Sequence, residues 1–159
     1  MSMIGELTHF LGLQICQQDS GIFLSQSRYV KNLLNKFGLE SISSVRTPMN
    51  PYVKLTVDLL GKSVDSSLYR SMIGSLFYLT VSRPDISYSV AVCARYQANP
   101  KESHMTSLKR IIKYVKTTTD FGVWYSKDTN DVLAGYSDAN WAGNAADRKS
   151  TSGGLFLYG

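Results

Sequence analysis

Residues 65–117 read DSSLYRSMIGSLFYLTVSRPDISYSVAVCARYQANPKESHMTSLKRIIKYVKT, and this stretch decides the fold class. Apolar residues recur through it at three- and four-residue spacing, the period of a helix that buries one face. Asp65 or Ser66 can cap a first helix, with Leu68, Met72, Ile73, Leu76 and Leu79 on its inward side. Gly74 and Ser75 are small enough to admit another helix closely. Arg83-Pro84-Asp85 starts a second helix, because proline at the first helical position gives up only an amide that would lack a partner. Asp85 there complements the positive helix end. That helix runs through Val90 and Ala94 to about Gln97, and Asn99-Pro100 stops it. A further helix is predicted over 101–117, burying Leu108, Ile111, Ile112 and Val115.

Outward from this helical stretch, the pattern changes on both sides. Towards the N-terminus, the apolar runs 7–15 and 22–24 flank an Asp19-Ser20-Gly21 turn, which predicts a β-hairpin. Ser25 or Ser27 then caps a helix carrying Val30, Leu33, Leu34 and Phe37, and Gly38 suits the left-handed position that closes it. Between 40 and 65, periodicity dissolves into Ser, Thr, Pro48, Pro51 and Gly61, a long loop or linker. On the other side, residues 121–125 (FGVWY) and 132–141, joined by a polar turn, read as paired strands. Residues 152–158 make a third strand, so the fold class is α+β.

The chain has 159 residues, enough for one ordinary core or two small units sharing one. With 43% apolar and 18% charged residues it is globular in composition rather than disordered. A net charge of +5 and a pI near 9.2 favour a polyanionic partner. Cys16 and Cys93 lack metal-binding spacing, and with His9 and His104 they do not assemble a local zinc motif. They read as two reduced thiols, consistent with a cytosolic or nuclear setting. No stretch approaches the roughly 20 apolar residues that cross a bilayer. The expectation is a soluble protein with no membrane partner.

The twelve acidic residues include no adjacent pair, and most fall in predicted turns or helix caps. There is no glycine-rich phosphate loop and no GxSxG elbow. Asp138 stands apart, within GYSDANWAG (135–143), where the sequence otherwise favours a strand. A strand-interior carboxylate needs a cation, a cluster of donors or an exposed edge. Lys109, Lys113 and Lys116 share one helical stripe, with Arg110 adjacent. Such a stripe is either a solvated face or a set of phosphate contacts whose affinity falls with salt.

Phe10-Leu11-Gly12-Leu13 resembles the segment after the polymerase palm in copia-type reverse transcriptases, where a hairpin grips the primer end. YRSMIGSL (69–76) and RPDI (83–86) are similar to that family's connection region, as are Asn99-Pro100, His104, Lys109-Arg110-Ile111 and Tyr114. YSDANWAG (136–143) with DRKSTSG (147–153) resembles the opening of its ribonuclease H domain. The resemblance covers nearly the whole chain, in order, and points to copia-type retrotransposon Pol polyproteins. It implies a primer-grip and thumb-like remnant over 1–45, a linker over 46–65 and a connection region over 66–131. Residues 132–159 are then the first strands of an incomplete ribonuclease H-like domain, an antiparallel hairpin.

The same resemblance assigns residues. Asp138 matches the first acidic ligand of a two-magnesium site, so it is the catalytic and metal residue of a completed ribonuclease H domain. Phe10, Leu11 and Gly12, with Lys109, Arg110, Lys113 and Lys116, are the implied nucleic-acid contacts. Asn140 stands where many relatives have a second Asp that is not a metal ligand, and Gly154 weakens the second strand. Implied partners are an RNA–DNA hybrid or duplex, held weakly and without sequence preference, and the remainder of Pol. Magnesium is the parent enzyme's cofactor, but none is expected on this chain, which lacks the palm's Tyr-Val-Asp-Asp motif and the later ribonuclease H acids. Met1 matches an internal methionine of the family. The chain is expected to be catalytically incomplete alone; the alternative reading is a nucleic-acid-binding remnant or a decayed reading frame.

Overall fold

The computed structural model describes residues 5–41, 43–50, 52, 54–128, 132–143 and 148–158. Met1 and Asp147, invoked in the sequence comparison above, lie outside them. The elements run β1 (His9–Phe10), β2 (Leu13–Gln18), β3 (Gly21–Ser25), α1 (Ser27–Lys36), α2 (Ser66–Leu79), a 3₁₀ turn (Pro84–Ile86), α3 (Ser87–Ala94), α4 (Glu102–Thr117), β4 (Gly122–Ser126), β5 (Leu133–Asn140) and β6 (Thr151–Tyr158). Helices and antiparallel sheets make the architecture α+β.

The helical periodicity translates directly into the core. Val30, Leu33 and Leu34 of α1 meet Tyr69, Met72, Ile73, Leu76 and Leu79 of α2. Ile86 and Val90 with Cys93, then Leu108, Ile111, Ile112 and Val115 of α4, complete one continuous cluster. Asp65 caps α2 by accepting from the amides of Ser67 and Leu68. Gly38 sits at φ 63° behind α1, as the sequence requires.

Several local expectations are corrected. The α1 cap position belongs to Gln26, which makes no side-chain cap; instead Gln14 Oε1 reaches across from β2 to accept from the Arg28 amide. Leu68 is exposed, and Tyr69 takes the inward position because α2 turns by 100° per residue. A Cβ at Gly74 would meet nothing within 4 Å, whereas α1 does approach at Ser75, whose carbonyl accepts from the Tyr29 hydroxyl (3.0 Å). The second predicted helix is shorter: a 3₁₀ turn at Pro84–Ile86 leads into α3, which ends at Ala94. The 7–15 run is broken at Leu11-Gly12, where φ values of 46° and 77° turn β1 back along β2.

The largest correction concerns strand pairing. β4 does not pair with the strand over 132–141; it pairs antiparallel with β3, from Gly21 opposite Ser126 to Ser25 opposite Gly122. Helix α4 returns the chain to the open side of β3, giving a sheet of order β1-β2-β3-β4. That sheet therefore draws on residues 9–25 and 122–126, far apart in sequence. β5 pairs instead with β6, from Leu133 opposite Tyr158 to Asn140 opposite Thr151, with Gly153 and Gly154 inside the strand.

Among the described residues the loop over 40–65 holds no helix, as expected, but it is tied down. Ser63 bridges to Lys101, Tyr96 donates to the Leu55 carbonyl, and Met49, Leu55 and Val64 pack on the core. Buried His104 accepts from the Lys101 amide through Nδ1 (3.0 Å), which leaves Nε2–H to donate to the Thr56 carbonyl (2.7 Å). Its ring stacks on Tyr96 at 4.1 Å.

Candidate nucleic-acid interface

The β1–β2 hairpin presents Phe10 and Leu11 at its tip, 54% and 75% exposed. A tight turn with two consecutive positive φ values favours glycine at its second position. Gly12 has a second reason to be there, since a Cβ would fall 2.1 Å from the Tyr78 hydroxyl. That hydroxyl donates to the Leu11 carbonyl, and the Tyr78 ring meets Tyr29 edge-on at 4.8 Å. The tip is thus an exposed apolar turn clamped to α2 by one hydrogen bond.

The α4 cations are arranged differently from a plain solvated stripe. Lys109 is exposed. Arg110 donates to the Thr47 carbonyl (3.2 Å) and hydroxyl (2.9 Å), and Lys116 donates to the Glu40 carbonyl. Arg110 and Lys113 also border a cleft of about 390 Å³ whose apolar wall is Val45, Met49 and Leu55. Two of the four cations therefore hold the 40–50 loop against α4 while their charge stays at the surface.

Asp138 lies in β5 opposite Gly153, exposed, and borders a cleft shared with Ser87, Tyr88 and Ala91 of α3. Among the described residues, no group of three His, Cys, Asp or Glu side chains could hold a metal ion. The residues present do not fit a two-magnesium centre, which needs several fixed oxygens around ions about 3.5–4 Å apart. The hairpin tip is tied to α2, the α4 cations to the 40–50 loop, and Asp138 borders α3.

One cluster escaped the sequence reading. Arg83, 2% exposed, donates from Nε and one terminal nitrogen to Asp85 (2.9 and 2.7 Å), and to the Thr118 carbonyl and hydroxyl at 2.7 Å. Its guanidinium lies over Tyr114 and Phe121, while Tyr114 donates to Asp85 at 2.8 Å. Burial alone would raise the Asp85 carboxyl, but the hydrogen bonds from Arg83 and Tyr114 and the guanidinium charge outweigh it and hold the group below its usual range. In the sequence the Arg-Pro-Asp order marks a helix start and a family motif, not a buried guanidinium. The available signal was an Arg and an Asp two residues apart, a spacing that allows a bidentate local pair.

No protein-family model and no solved structure matches the chain. Curated sequences do. Over 154 residues, 97% of the chain, it is 39% identical to the retrovirus-related Pol polyprotein from transposon RE1 of Arabidopsis thaliana. Over the same share it is 38% identical to that from transposon RE2 of the same plant. It spans only about 10% and 11% of those two polyproteins. An uncharacterized mitochondrial protein of Arabidopsis thaliana is 36% identical over 96% of the chain, which spans 63% of that relative. The chain is related to the copia-type retrovirus-related Pol polyproteins of retrotransposons.

Proposed function

We propose that this segment holds the primer–template between the polymerase and ribonuclease H portions of Pol. The observation that carries the reading is the β1–β2 tip, an exposed apolar turn on residues 10–12 clamped to a helical body that also displays Lys109 and Lys113. Cations on phosphates position a duplex without reading its bases, and an exposed apolar turn can rest against a strand end. Residues 1–45 and 66–131, joined by 46–65, act here as one body, and 132–159 begin a ribonuclease H-like fold. In that reading Asp138 becomes a magnesium ligand only when the other acids are supplied, and this segment by itself neither polymerises nor cleaves.

Phosphate contacts of this kind give dissociation constants of roughly 10⁻⁴–10⁻⁶ M at physiological salt. Titrating a labelled RNA–DNA hybrid at two salt concentrations tests the proposal. Binding should weaken steeply with salt, and Lys109→Glu with Lys113→Glu should flatten that dependence. Absent binding at low salt, or binding indifferent to salt, overturns it. For Asp138, a chain extended with a relative's remaining domain should cleave hybrid RNA, and Asp138→Asn should abolish cleavage with the fold intact.

A further inference from the structure

On one face of the four-stranded sheet, Cys16, Phe23 and Trp124 stand in a single cross-strand row. Glycines lie diagonally beside the two rings. A Cβ on Gly21 would come within 2.7 Å of the Trp124 indole, and one on Gly122 within 2.8 Å of the Phe23 ring. Each ring therefore leans over the glycine diagonal to it on the neighbouring strand, in the space a side chain would fill. The result is a low aromatic surface, with Trp124 43% exposed and exposed Cys16, Gln18 and Ser126 around it.

The cations nearest this face sit at the α1 end. Strands β2, β3 and β4 carry no charged residue. At one end Gln14, on the same face, bonds the Arg28 amide, and Arg28 and Lys31 follow on one exposed side of α1, whose first turn has no acid. At the other end stand Asp19 in the β2–β3 turn and the Lys127-Asp128 pair after β4, while Asp120 precedes β4 on the Arg28 side. A flat pair of rings beside cations complements a ligand with planar rings and a charged backbone, and every nucleobase offers a stacking face.

We propose that this sheet face binds an unpaired nucleic-acid strand, its bases stacked on Phe23 and Trp124 and its phosphates towards Arg28 and Lys31. The site is separate from the hairpin tip and α4, and deepens the reading of a nucleic-acid-holding segment by assigning it a single-strand subsite. Trp141→Phe leaves Trp124 as the single tryptophan reporter, since the chain has two. In that background a 12-nucleotide oligo(dT) should quench Trp124 emission saturably. Phe23→Leu should weaken oligo(dT) binding about tenfold. Trp124→Leu, followed by labelled oligonucleotide, should do the same, while Trp124→Phe should retain most affinity and confirm the fold. Blunt RNA–DNA hybrid affinity should change less than twofold in all three. Unquenched emission, or undiminished oligo(dT) binding by both Leu variants, overturns the inference. So does concentration-dependent shielding of Trp124 without nucleic acid, which would make the face a contact between two copies. A parent chain that binds the hybrid but not oligo(dT) sinks this site alone; one that binds oligo(dT) but not the hybrid sinks the proposed function and leaves this site standing.

Discussion

Arg83 is the buried cation of this fold's polar cluster around Asp85 and Thr118. Its guanidinium ties the entry to α3, the end of α4 and the approach to β4 through Asp85, Thr118 and Phe121. Arg83 is buried but Asp85 stays open to solvent, so deleting the guanidinium strands only partly buried partners, a loss on the order of 2 kcal/mol. Arg83→Ala should therefore lower chemical-denaturation stability by about that amount, and Arg83→Lys should recover only part of it because it cannot form the planar fork. A Lys variant as stable as the parent would show that charge alone matters. Asp85 adds a pH signature. Its folded carboxyl lies below the unfolded one, so its contribution is complete above about pH 4 and fades as pH falls towards the lower folded value. Relative to Asp85→Asn, the parent should lose stability more steeply across that acid window. At Cys93, burial pushes the thiol up to about 12, whereas Cys16 is exposed. A thiol reagent at neutral pH should label one cysteine in the native protein and both in denaturant.

Among the elements, legibility followed the range of the determining contacts. The bodies of α1, α2 and α4 were readable because helical periodicity and caps such as Asp65 are local. The partner of β4 was not. Residues 121–125 carry a strand pattern, but nothing within it distinguishes β3, about a hundred residues earlier, from the nearer strand over 132–141. The β1–β2 turn was hidden for a related reason: Leu11-Gly12 looks like part of an apolar run, and the hydroxyl that completes the turn comes from Tyr78 in α2. Of the candidate site, the loop bonds of Arg110 and Lys116 and the Arg83 cluster depend on packing between distant segments. Tyr78→Phe should remove a bond worth about 1 kcal/mol and loosen the tip, read as faster amide exchange at residues 9–13 with the helices unaffected. Gly12→Ala should be worse, by more than 1 kcal/mol, since it combines positive φ with collision against Tyr78. Equal exchange in parent and Tyr78→Phe would remove the clamp from the account.

At the scale of the whole molecule, the core and the β5–β6 hairpin are unequal partners. Every member of the buried apolar cluster comes from residues 30–115, and none from β5 or β6. On the hairpin Leu133, Tyr136, Leu155 and Phe156 remain more than half exposed. A two-stranded hairpin with no covered face is marginal in water, and its open edges invite further strands. The core should therefore unfold as one cooperative unit whose midpoint the hairpin scarcely affects. Ending the chain after Asp128 should move the thermal midpoint by less than about 4 °C, the shift that roughly 1 kcal/mol produces in a domain of this size. Limited proteolysis of the full chain should cut beyond Ser126 before it cuts within the helices. The same exposed apolar strands should make the full chain self-associate more readily than the shortened one, measurable by sedimentation at matched concentrations. A midpoint lowered by 10 °C or more on truncation would mean that β5 and β6 stabilise the helical body through contacts the core does not register. The two regions would then have to be treated as one folding unit.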